Sequence, residues 1–129
     1  MHSKLAIALV ALCCFISPAP AASLEEALRK IAPEERANQA CILKGLQTVQ
    51  RDQRLHGANR MLAQVFTPPA LDSTSVTARG GAVRLPGHCY ALSFSCKLTP
   101  DYMKALSFSY ELGKEIPRRD WPRYYLWDP

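Results

Sequence analysis

The chain has 129 residues and a mass of 14.3 kDa, with 16 Lys and Arg against 11 Asp and Glu. A hydrophobic fraction of 48%, a charged fraction of 21% and a mean hydropathy of −0.11 exclude disordered and fibrous classes and fit one ordinary domain. The formal charge of +5 is modestly basic, short of a dedicated nucleic-acid binder, so no nucleic-acid partner is expected.

Residues 1–21 read as a cleavable signal peptide. Met1-His2-Ser3-Lys4 is a positive start, residues 5–16 are apolar, and Ala19-Pro20-Ala21 supplies a small-residue cleavage site. Spanning a bilayer takes about 18 to 20 apolar residues, so the chain is not expected to be membrane-spanning. The expected location is the periplasm, or secretion beyond it. Cleavage leaves Cys41, Cys89 and Cys96 in an oxidising compartment, where a disulfide is the default use of two of them.

Residues 22–129 then form a single α+β domain: helices over about 24–66, a sheet over about 76–113 and an aromatic tail over 117–129. Ser23-Leu24-Glu25-Glu26 has capping-box spacing and opens a short helix that Pro33 stops. A second helix runs from Pro33 to about Gln53, with Gln39, Ile42, Leu43, Leu46 and Val49 in one stripe. Ala58, Met61, Leu62, Val65 and Phe66 repeat that spacing and predict a third helix, ending before Pro68-Pro69. Residues 67–75 are a loop by composition.

Beyond the loop the period changes from 3.6 to 2. Residues 76–85 contain Gly80-Gly81, which favours a hairpin or a bulge, and Pro86-Gly87 is a turn needing positive φ at Gly87. Tyr90, Leu92, Phe94 and Cys96 share one strand face, and Ala91, Ser93 and Ser95 the other. Leu106, Phe108, Tyr110 and Leu112 alternate likewise with Ser107, Ser109 and Glu111. Two amphipathic strands joined through Thr99-Pro100-Asp101 make an antiparallel pair on which the helices pack. The Ser-rich face is either exposed or closely covered. Trp121, Tyr124, Tyr125 and Trp127 crowd the tail, as an aromatic flap closing the core or as recognition aromatics for a sugar or a partner chain.

The order Tyr90-x-Leu92-Ser93-Phe94-x-Cys96, Thr99-Pro100-Asp101, Ser107-Phe108-x-Tyr110-x-x-Gly113-x-x-Ile116-Pro117 and Trp121-x-x-Tyr124-x-Leu126-Trp127 resembles the family called Domain of Unknown Function 930. The resemblance covers about residues 34–127 and is most specific from Tyr90 onward. It extends to a Cys in the preceding helix, matched by Cys41. It implies a small exported protein of rhizobial-type alphaproteobacteria and brings no activity, ligand or catalytic residue. Cys89 stands where family members tend to carry an aromatic residue, which leaves its role open.

Catalytic chemistry is not legible. The chain contains no H-E-x-x-H, G-x-S-x-G, phosphate-binding glycine loop or S-x-x-K. His88 and Cys89 are adjacent in a predicted strand and point to opposite faces, so they make no dyad. After cleavage, three Cys and two His without a C-x₂₋₄-C pair predict no zinc site, and no cofactor is expected. On the second helix Arg36, Lys44, Arg51 and Arg54 fall within roughly an 80° arc, either a solvated face or an anion-binding face.

Spacing also narrows the disulfide. Cys89 and Cys96 in one strand lie roughly 23 Å apart, whereas a bridge needs Cα atoms within about 7 Å. Cys41 is therefore one partner. Cys96 shares the face of Leu92 and Phe94 that the helices cover, which predicts Cys41–Cys96. The expected function is a non-enzymatic, disulfide-stabilised interaction protein of the bacterial envelope or exterior. Its partner would be an anionic envelope or membrane component, or a protein. The alternatives are a host-directed effector passing through the periplasm and a small glycan- or wall-acting hydrolase.

Overall fold

The computed structural model describes residues 10–15 and 23–126. Residues 10–15 adopt no regular element, and Val10, Leu12 and Phe15 are exposed. The rest of the expected signal peptide, its cleavage site and Trp127 lie outside the described residues.

Among the described residues the fold is α+β. Helix α1 spans Ser23–Lys30 and α2 spans Pro33–Val49, with Pro33 in the first turn where its missing N–H costs nothing. The sheet contains β1 (Arg60–Leu62), β2 (Ala70–Asp72), β3 (Ser75–Leu85), β4 (His88–Leu98) and β5 (Ala105–Glu115). All pairings are antiparallel, in the order β1-β3-β4-β5, with β2 also pairing with β3. Helix α3 (Trp121–Tyr124) follows a 3₁₀ turn at Arg118–Asp120.

Three expected boundaries are corrected. Residues 58–66 are not a third helix: Arg60, Met61 and Leu62 pair with Arg84, Val83 and Ala82 as a strand. Their helical spacing arises because Met61 faces one core while Leu62 and Val65 pack against another. The loop at 67–75 contains β2, returned to β3 by Ser73 and Thr74, with Ser73 at φ +53°. The second helix stops at Val49, because Asp52 caps a separate 3₁₀ turn at Gln53–Leu55 by accepting the Arg54 N–H.

Helix α2 also presents a different face from the one its large apolar residues suggest. Its buried side is Ala37, Ala40, Cys41, Gly45 and Val49, while Leu43 is 40% exposed. Small residues win because they let the helix backbone approach the sheet. A Cβ on Gly45 would come within about 2.6 Å of the Phe108 ring and the Met61 sulfur. Ile42 and Leu46 flank the contact, half-buried.

The turn at Pro86-Gly87 joins β3 to β4 as expected, with Gly87 at φ +75°. Gly80-Gly81 is the bulge and not a hairpin: β3 continues through it, with the register shifting between Ala78 and Gly81. Leu92, Phe94, Cys96 and Leu98 of β4 are buried under α2. Leu106 corrects the expected β5 pattern, being 62% exposed. Lys97 pairs with Ser107 and Leu98 with Ala105, so Leu106 is the extra residue of a bulge and Ala105 takes the inward place.

The sheet is covered on both faces, unequally. The inner face carries the larger core with α2. The outer face carries a second core where Ala82 and Cys89 lie beneath Ile116, Trp121 and Leu126. Residues 117–126 of the expected aromatic tail thus form a folded lid over one part of the outer face. The remainder of that face is open.

Candidate binding surface

Beyond the lid, the outer face of β3, β4 and β5 forms a groove of about 580 Å³. Its hydroxyl row follows from register: Thr77 pairs with Ser95, and Ser95 with Ser109. Ser93 lies opposite Glu111, and Arg79 enters from the bulged part of β3. Strand spacing sets the three hydroxyl positions about 4.8 Å apart, a ladder of small groups that can each donate and accept. Lys97 follows Ser93 and Ser95 on the same side of β4 and is exposed. The Ser-rich face expected from alternation is therefore open here and covered further along. Thr77 and Arg79 were not legible as site residues, because the glycine bulge breaks the period that would place them.

The arc of four cations on α2 separates into different roles. Arg36 reaches down: its Nε donates to Leu28 O at 2.8 Å, and its Nη atoms donate to Arg29 O, Ile31 O and Asp101 O. It caps the end of α1 and ties the β4–β5 loop to α2. Arg54 is held by Asp52 at 2.8 Å. Lys44 is half-buried and Arg51 is exposed. The four do not present one common surface of exposed guanidinium and ammonium groups.

Asp52 is a local junction. It accepts from Arg54 and from the Tyr110 hydroxyl at 2.8 Å, joining the 3₁₀ turn to β5. The Arg54 side-chain hydrogen bonds, followed by the Tyr110 one, hold its carboxyl well below the usual carboxylate range. Burial, then the neighbouring Asp52, pushes the Tyr110 hydroxyl up.

The tail aromatics are likewise divided. Trp121 is 4% exposed, its indole N–H donates to Ile116 O at 3.0 Å, and Arg118 lies 4.9 Å from its ring centre. Tyr124 packs edge-on against Phe66 with ring centres 4.8 Å apart. Tyr125 is 77% exposed at φ +56°. Trp121 therefore belongs to the core rather than to a stacking surface. A smaller cavity of about 390 Å³ borders Trp121, Arg118 and Glu115, and Glu115 pairs with His88.

Cys41 and Cys96 are bridged, with Cα atoms 5.9 Å apart, fastening α2 to β4. Cys89 lies outside the bridge, buried in the outer core. Among the described residues, no group of three or more His, Cys, Asp or Glu could hold a metal ion, and no helix is long and apolar enough to cross a membrane.

Fold and surface together define a small, disulfide-braced α+β domain with a lidded sheet and an open polar groove. A family model described as Domain of Unknown Function (DUF930) matches residues 28–126, and the chain belongs to that family. No curated protein and no solved structure matches it.

Proposed function

We propose that this is a non-catalytic binding protein, exported to the periplasm or beyond, that holds an anionic component of the bacterial envelope against the outer face of its sheet. The hydroxyl row of Thr77, Ser95 and Ser109 beside Arg79 carries the reading. Hydroxyls at strand spacing suit the oxygen-rich head groups of phospholipid or lipopolysaccharide, and nearby cations supply the charge. Lys97 lies on the same face, and Arg119 and Arg123 are exposed on the segment that covers its other part. Glu111 is the opposing charge within the groove. A helix-to-sheet disulfide suits an oxidising compartment, as does the apolar leader.

The test is co-sedimentation of the oxidised protein with lipopolysaccharide and with anionic or neutral vesicles. Binding should favour the anionic surfaces and fall as salt rises, since exposed charges are screened beyond about 10 Å at 0.1 M. Arg79→Glu with Lys97→Glu should remove most of it, and Arg51→Glu should not. Equal binding to neutral vesicles, or indifference to the Arg79 and Lys97 reversals, would overturn the proposal.

A further inference from the structure

The two edges of the sheet differ in kind. One side of β3 is occupied by the three-residue strands β1 and β2, short edges that give an approaching chain little to pair with. The other edge is β5, eleven residues long, and among the described residues no strand pairs with its far side. Bulges at Leu106 and near Gly113 twist its ends but leave 107–112 regular. That stretch contains no proline.

We propose that β5 pairs antiparallel with β5 of a second copy of this chain, about a two-fold axis at Tyr110. The sequence is self-complementary about that residue. Phe108 would lie opposite Leu112, Ser109 opposite Glu111, and Tyr110 opposite its own counterpart. Each pair shares one sheet face, so the half-buried Phe108, Tyr110 and Leu112 gain cover while a hydroxyl meets a carboxylate outside. Centring one residue later would set Glu111 against Glu111. Centring one residue earlier would leave Leu112 opposite the bulged Leu106, which points to the other face. Ser109 and Glu111 also line the groove, so pairing would join the two grooves across the axis.

Sedimentation equilibrium of the oxidised protein tests this through charge placement at exposed positions that leave the fold intact. Wild-type protein should show a concentration-dependent dimer. Ser109→Glu faces Glu111 twice in each dimer and should weaken association about fivefold or more. Ser109→Lys should tighten it, and Glu111→Lys added to Ser109→Glu should restore it. Thermal melts of each variant keep folding separate from association. A monomer at every concentration, a dimer indifferent to Ser109→Glu, or one weakened by Ser109→Lys would overturn the pairing. None of these readouts depends on an anionic ligand.

Discussion

Asp52 shows how one side chain can order a junction between elements. It caps the 3₁₀ turn, holds Arg54 and receives the Tyr110 hydroxyl. Because its folded carboxyl is depressed, its contribution is complete above the unfolded value of about 3.9 and is lost as pH falls toward the lower folded value. Asp52→Asn should therefore destabilise the protein at pH 7, with the difference from wild type shrinking as pH drops below about 4. Urea melts at pH 7 and pH 3 check this, and an equal difference at both would remove the carboxylate's role. The junction was not legible beforehand. The spacing places Asp52 within the second helix and Arg54 among its cations, whereas that helix ends at Val49. Arg36 misled in the same way: a wheel places it among exposed charges, but its partners are carbonyls contributed by α1 and a distant loop.

At the scale of elements, the segment from Ile116 to Leu126 turns a plain sheet into one with two cores. Trp121 fills the space above Ala82 and Cys89, and Leu126 closes it. Trp121→Ala should cost about 3 to 5 kcal/mol and should make the Cys89 thiol accessible to an alkylating reagent in the folded protein. A small loss with Cys89 still protected would mean that the lid is held elsewhere. The long strands β4 and β5 were readable because five or more alternating positions reveal a period of 2. The three-residue β1 and β2 are too short to show one, and the alternation between two cores gave residues 58–66 a spurious helical spacing. The groove was half legible. Ser93, Ser95 and Ser109 follow from alternation, whereas Thr77 and Arg79 needed the bulge at Gly80-Gly81 to be placed.

For the molecule as a whole, the Cys41–Cys96 link closes a separation of 55 residues across the helix–sheet contact. Chain entropy assigns such a link about 4 kcal/mol, so reduction should lower the denaturant midpoint accordingly, and loss of under about 1 kcal/mol would assign the packing to α2 alone. The pairing was legible because residues 89 and 96 differ in parity along β4, which puts their sulfurs on opposite sides of the sheet. That same parity acts as proofreading. While β4 is unformed, Cys41, Cys89 and Cys96 offer three ways to join two of them. Once the strand has zipped between β3 and β5, Cys89 is walled into the outer core and a single choice remains. The order of strand formation and oxidation thus decides how many of these pairings are open, and β4 is its own check on the chemistry.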